Sequence, residues 1–128
     1  MATRRKVTVV EDDRAVRKAV ERLLTASGFD VETFASAEEF LACAGSRATT
    51  CLILDIHLGG MSGLELQRQL QASHAQLPVI FMTALDSEAT RQHAIEAGCV
   101  AYLRKPCPSH SLVAAIERAT GACGDAET

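Results

Sequence analysis

Cys51-Leu52-Ile53-Leu54-Asp55 decides the reading of this chain. Four apolar residues in an unbroken run match a strand buried on both faces, as in the interior of a parallel sheet. The run ends on a carboxylate, and open α/β sheets bind ligands at the carboxyl ends of their strands. Asp55 is therefore either a site residue or a cap for the next helix. His57-Leu58-Gly59-Gly60-Met61-Ser62-Gly63 reads as a loop, so a cap would be unusually remote.

On the N-terminal side, Val7-Thr8-Val9-Val10 is a β-branched run that reads as the first strand and ends at Glu11-Asp12-Asp13. Ala15, Val16, Ala19, Val20, Leu23 and Leu24 then recur at helical spacing, and Gly28 stops the helix as a C-terminal cap. Asp13 suits its N-cap, which leaves Glu11 and Asp12 needing another explanation. Val31-Glu32-Thr33-Phe34 alternates as a second strand. Ser36-Ala37-Glu38-Glu39 is a capping box opening a second helix, which turns Phe40 and Leu41 inward and ends near Gly45.

On the C-terminal side, a third helix starts near Ser62-Gly63 and presents Leu64, Leu66 and Leu70. Pro78 blocks its continuation, and Val79-Ile80-Phe81-Met82 is a fourth strand ending at Thr83. The fourth helix begins at Asp86 or Ser87 and ends at Gly98. Its apolar face is thin, mainly Ala89, Ala94, Ile95 and Ala97, so it is expected to be weakly held. Val100-Ala101-Tyr102-Leu103 is a fifth strand, followed by Arg104-Lys105-Pro106. The fifth helix starts near Ser109 and uses Leu112, Val113 and Ile116. Residues 1–120 read as one domain, and the small polar stretch 121–128 as a tail or the start of a linker. Five strands alternating with five helices argue an α/β fold, a parallel sheet covered on both faces with right-handed crossovers.

Bulk properties narrow the function classes. A chain of 128 residues suits one domain with one core. Its 48% apolar and 23% charged residues are ordinary for a globular protein. The formal net charge of −3 argues against a nucleic-acid surface, and 4% aromatics without Trp offer no stacking platform for single strands. The basic N-terminus, Met1 to Lys6, is not followed by a signal-peptide core, and no apolar run approaches a membrane span. A cytoplasmic location is the default. The five cysteines (Cys43, Cys51, Cys99, Cys107 and Cys123) include no Cys-x-x-Cys pair, which favours reduced thiols over a disulfide framework or a zinc site.

The strand ends carry the chemistry. Glu11 and Asp12 follow the first strand, Asp55 ends the third, Thr83 the fourth, and Lys105 follows the fifth. Singly, each has a bland reading: acids favouring a helix dipole, a turn acid, a common strand residue, an edge charge. Together on one sheet edge they are hard to assign to solubility. Three converging carboxylates disfavour joint ionisation unless positive charge enters. Lys105 supplies some, and a hard divalent cation such as Mg2+ would supply the rest. A carboxylate nucleophile, a metal, a Lys and a hydroxyl are the parts of a phosphoryl-transfer site.

In these residues, from Val7 to about Ala119, the chain resembles the receiver domain of bacterial two-component response regulators, most of all those of nitrogen-fixation-type regulators with helix-turn-helix output. The resemblance implies a flavodoxin-like doubly wound sheet of order 2-1-3-4-5. It implies that Asp55 accepts a phosphoryl group from a histidine kinase. Asp12 and Asp55 would bind Mg2+ directly, Glu11 through water, and the backbone carbonyl of His57 would be a further ligand. Lys105 would contact the phosphoryl oxygens beside a cis bond to Pro106. Thr83 and Tyr102 would rearrange on phosphorylation and switch the face of the fourth helix, fifth strand and fifth helix. That face would serve an output domain or partner protein, or a homodimer. Such a receiver is a signalling domain that assists its own phosphorylation and dephosphorylation rather than an enzyme. Three residues depart from the usual pattern: Glu11 stands where Asp is more common, Leu58-Gly59 replaces Met-Pro, and Cys107 replaces Phe. Gly59 is expected to loosen the loop, because Gly costs more entropy to order than Pro.

Three other classes fit the same residues less well. An aspartate-nucleophile phosphatase would carry its nucleophile in Asp-x-Asp after the first strand, whereas this strand ends Glu-Asp-Asp. A contact module without phosphorylation would not need the set Asp55, Thr83 and Lys105. A nucleotide-binding domain lacks its Gly-rich loop after the first strand.

Overall fold

The alternation of short apolar runs with amphipathic segments is realised as ten elements. The computed structural model describes residues 5–43, 49–73, 77–85, 87–105 and 108–120. In chain order these are β1 (Lys6–Val10), α1 (Arg14–Ala26), β2 (Asp30–Phe34), α2 (Ala37–Ala42), β3 (Cys51–Asp55), α3 (Gly63–Ser73), β4 (Val79–Thr83), α4 (Glu88–Glu96), β5 (Ala101–Arg104) and α5 (Ser109–Ala119). The five strands form one sheet in the order β2-β1-β3-β4-β5, every pair parallel. The central strands β3 and β4 are buried at every position, as continuous apolar runs require.

Strand pleating divides the core into two layers. Val7, Val9, Ile53, Ile80 and Met82 point to the face covered by α1 and α5, where they meet Val20, Leu24, Leu112 and Ile116. Val10, Leu52, Leu54 and Phe81 point to the other face and meet Phe40 of α2, Leu66 and Leu70 of α3, and Ala94 of α4.

Local signals set the helix ends. The Asp13 carboxylate accepts from Ala15 and Val16 N–H at the start of α1, and Gly28 takes φ +99° just past its end. The Ser36 hydroxyl accepts from Glu39 N–H at 3.0 Å. The return bond from the Glu39 side chain reaches Ala35 N–H, one residue earlier than the ideal box. Ser62 and Glu65 form the same device, reciprocally, at α3.

Several expectations need correction. Leu41 is 40% exposed, because consecutive helical residues point about 100° apart and Phe40 takes the inward position. Ile95 is 56% exposed for the same reason beside buried Ala94. Ala89 is also exposed, so only Ala94 and Ala97 anchor α4 through apolar burial. Val100 precedes β5 and is exposed, and β2 is half-buried along its length rather than alternating, as an edge strand can be. Helix α2 ends at Ala42 with Cys43 as its C-cap, a little before the expected end near Gly45. Gly45 itself, Asp86, the Pro106 bond, Cys107, Cys123 and the tail from Gly121 lie outside the described residues.

Candidate functional site

The carboxyl ends of β1 and β3 bring two acids into the interior. Glu11 is 3% exposed and Asp55 7%, whereas Asp12 faces solvent. Asp13 is committed to capping α1, which leaves its two acidic neighbours available. One carboxylate oxygen each from Glu11, Asp12 and Asp55 lie within 4.8 Å of one another.

Lys105, just past β5, closes the group. Its Nζ donates to Glu11 Oε1 at 2.5 Å and to Asp55 Oδ2 at 3.1 Å. Its backbone N–H donates to the Thr83 carbonyl at 2.8 Å, tying its placement to the end of β4. The other Asp55 oxygen, Oδ1, accepts from His57 N–H at 3.0 Å. Glu11 Oε2 accepts from Asp13 N–H, and the Glu11 carbonyl accepts from Arg17 Nη1 at 2.8 Å. Asp12 Oδ2 accepts a long bond, 3.4 Å, from Gly59 N–H.

The electrostatics are those of a crowded acid pocket. Burial pushes the Glu11 carboxyl above its ordinary range. Bonds from Lys105 and Asp13 N–H pull it down without cancelling that, and the Asp55 charge adds to the rise. Burial also works against the Lys105 ammonium, but its bonds to Glu11 and Asp55 outweigh this and hold its pKa above the usual value. Three carboxylates against one ammonium leave two formal negative charges, the charge that one divalent cation would balance. All the donors are hard oxygens, which suits Mg2+ rather than zinc or copper.

Glu11, Asp12, Asp55 and Lys105 are thus brought together at one sheet edge, as the sequence predicts. Thr83 is fully buried, and its hydroxyl accepts from Leu85 N–H at 3.0 Å. Tyr102 is half-buried, with the Arg91 guanidinium of α4 5.7 Å from its ring centroid. The His57 side chain is exposed, so its backbone alone faces Asp55. Sequence reasoning missed Gly63. It is buried, its N–H donates to the Ile56 carbonyl at 3.0 Å, and an added Cβ would run into the backbone carbonyl of Asp55. The Ser62-x-x-Glu65 box beside it could have marked that close approach.

Comparison with known proteins meets this geometry from outside. The response regulator receiver domain family matches residues 7–117. The response regulator protein TodT of Pseudomonas putida is 38% identical over 113 residues, covering 88% of this chain and 50% of that protein. The DNA-binding transcriptional regulator NtrC of Salmonella typhimurium is 39% identical, covering 88% of this chain and 24% of that protein. The chain therefore spans half of one relative and about a quarter of the other. Among solved structures, the crystal structure of FixJ-N has a TM-score of 0.84 at 35% identity, covering 93% of this chain and 95% of that one. The match runs through every strand end that carries an acid, the lysine or the buried threonine, and the chain belongs to the response regulator receiver domain family.

Proposed function

We propose that Asp55 is the phosphoacceptor of a two-component pathway and that the acid pocket around it is a Mg2+ site. The observation that carries this is the Lys105 ammonium bridging Asp55 to Glu11 inside a cluster of three carboxylates. An Asp55 carboxylate oxygen attacks the phosphorus of a kinase phosphohistidine. The P–N bond breaks, and the imidazole leaves with the electron pair and takes a proton. Lys105, already on Asp55 Oδ2, follows the charge onto the phosphoryl oxygens. His57 N–H, on Oδ1, holds the carboxylate in one orientation for attack. When bound, Mg2+ supplies positive charge against the phosphoryl oxygens. Asp12 and Asp55 would hold it directly, Glu11 through water, and the His57 carbonyl as a further ligand. The same residues would assist hydrolysis of the acyl phosphate by water.

The kinase would lie over an apolar groove of about 490 Å3 between α1 and α5. Val16, Val20 and Leu23 line one side, Met82 and Leu112 the other, and Lys105 sits at its edge. On phosphorylation the Thr83 hydroxyl leaves Leu85 N–H for a phosphoryl oxygen, and Tyr102 turns inward. That remodels the α4-β5-α5 face, where exposed Ile95 and Val100 offer apolar contacts to an output domain, a partner protein or a second copy. Transcription is the output argued by the relatives, since NtrC is a DNA-binding regulator. Among the described residues no helix is long and apolar enough to cross a membrane, and the proposed setting is the cytoplasm.

Intact mass after exposure to acetyl phosphate and Mg2+ tests this reading. One phosphoryl group is expected, lost with chelator and lost in Asp55→Asn. A mass gain that survives Asp55→Asn would overturn it.

A further inference from the structure

The loop joining β3 to α3 supplies the backbone around Asp55, and it contains the adjacent pair Gly59-Gly60, the most permissive two residues a loop can have. Left to itself such a loop costs much entropy to order. Two carboxylates from elsewhere in the chain hold it. Asp12, a residue of the site, accepts from Gly59 N–H. Glu38, on α2 and outside the site, accepts from Met61 N–H through Oε2 at 2.9 Å, across 23 residues of sequence.

The contact with Glu38 is built on both sides. Gly60 takes φ +74°, a conformation that L side chains rarely adopt. Independently, a Cβ at Gly60 would lie 2.8 Å from Glu38 Oε2 and 3.4 Å from its Cδ. The carboxylate therefore rests on bare backbone, and the positive φ is what calls for glycine at position 60. On the other side, Ser36 and Glu39 already cap α2, so Glu38 is free to reach the loop. The bond from Met61 N–H draws the Glu38 carboxyl below its usual range even though the side chain faces solvent.

We propose that Glu38 is a positioning residue for phosphoryl transfer. It clamps the Met61 end of the loop and thereby keeps the His57 and Gly59 amides in register with Asp55 and Asp12. The loop is then fixed at both ends of its glycine pair, which replaces the stiffness that a proline would give. This inference rests on Asp55 being the phosphoacceptor.

The test uses the full chain with Glu38→Ala and Glu38→Gln, the latter keeping an oxygen acceptor without the charge. Amide hydrogen exchange, read without phosphodonor, is expected to speed up about tenfold at Met61 and Gly59 in Glu38→Ala, since losing one charge-assisted bond opens the loop by that order. The maximal rate of Asp55 phosphorylation by acetyl phosphate is expected to fall about three- to tenfold. The urea midpoint should stay near wild type, and Glu38→Gln should recover part of both effects. Unchanged exchange at Met61 and Gly59 would overturn the clamp. Faster exchange with an unchanged phosphorylation rate would overturn its role in the transfer. A wild-type protein that takes no phosphoryl group would instead sink the phosphoacceptor reading, while the exchange data would still decide the clamp. If Glu38→Ala fails to fold, Glu38→Gln alone decides, by the same two comparisons.

Discussion

Replacing Lys105 with Met keeps the length of the side chain and removes its charge. In the folded protein the lysine side chain is 13% exposed, and the side chains of its two partners, Glu11 and Asp55, are 4% and 8% exposed. At an effective dielectric of about 20, unit charges 2.5 and 3.1 Å apart attract by roughly 5–7 kcal/mol each before desolvation is counted. Desolvating the ammonium offsets several kcal/mol of this, yet removing one partner of a buried pair still costs about 3–5 kcal/mol, because the other charge is stranded. Here two carboxylates are stranded, but the pocket opens to solvent at Asp12 and Glu11 can take up a proton. We expect a loss of about 2–4 kcal/mol at pH 7. The pH dependence carries a signature. The Glu11 pKa is already raised above 4.5, so its contribution to stability is fully present below that value and is lost as pH rises through the folded value. Without Lys105 the folded value climbs further, and the variant should lose more stability than wild type between pH 5 and pH 8. Lys105 has a raised pKa as well, so its own contribution in the wild type persists until strongly alkaline pH. Urea unfolding followed by circular dichroism at several pH values, with and without Mg2+, reads all of this. Mg2+ should recover part of the loss. A variant as stable as wild type at pH 8, or a deficit that grows toward acid, would refute the electrostatic account of the site.

Three further outcomes follow from the same structure. Gly63→Ala should cost about 1–3 kcal/mol in urea unfolding and slow phosphorylation by acetyl phosphate, because its Cβ meets the Asp55 carbonyl; an unchanged rate would mean that α3 gives way without moving Asp55. Leu85 is 65% exposed beside Thr83, and both Leu85→Ala and Leu85→Glu should hasten decay of the phosphorylated protein by a few-fold, roughly, if it shields the phosphoryl group from in-line water. Faster decay in Leu85→Glu alone would point to water orientation, and no change in either would remove Leu85 from the lifetime. Burial pushes the Cys51 thiol up to about 12, so peptide mapping should find it unalkylated in native protein at pH 8 and alkylated in urea; modification at the native rate of an exposed thiol would contradict its place in the core.

What the sequence made legible was whatever a one-dimensional pattern can encode. The runs Cys51–Leu54 and Val79–Met82 announce buried strands because both faces are covered, and the acids at strand ends announce an edge because parallel strands share one. Caps are equally local, so Asp13 and the Ser36 box could be read directly. Leu41 and Ile95 were misread for a related reason. Each follows a residue that takes the inward position, and apolar character alone does not say which of two neighbours faces the core. The contacts of Gly63 and Glu38 with the loop after β3 are harder to read, because they are made through space to the Asp55 carbonyl and Met61 N–H; only the Ser62-x-x-Glu65 box beside Gly63 leaves a local signal. The looseness expected of Gly59 meets one opposing contact. Proline has no N–H, whereas Gly59 donates a long bond of 3.4 Å to Asp12, a contact that a proline could not make.

The thin apolar face of α4 shows how packing can serve switching. Only Ala94 and Ala97 are buried there, and small side chains contribute little by burial. What joins the end of α4 to α3 is polar. Gln67, 2% exposed, donates from Nε2 to the Ala97 carbonyl at 3.0 Å. A buried hydrogen bond of this kind is directional, so it holds the helix in one position, whereas an apolar interface tolerates sliding. At the other end, Ser87 caps the helix four residues after Thr83. A movement of the Thr83 hydroxyl away from Leu85 N–H, as proposed on phosphorylation, would act on the N-terminal side of α4, while Gln67 anchors its C-terminal end. Under the proposed switch the helix would pivot about this anchor rather than detach. Tyr102, under the Arg91 guanidinium of α4, sits where such a pivot would be felt first. With Asp55 as the proposed phosphoacceptor, weak apolar packing at α4 combined with one directional anchor would let a change there reach the α4-β5-α5 face without loosening the sheet beneath it.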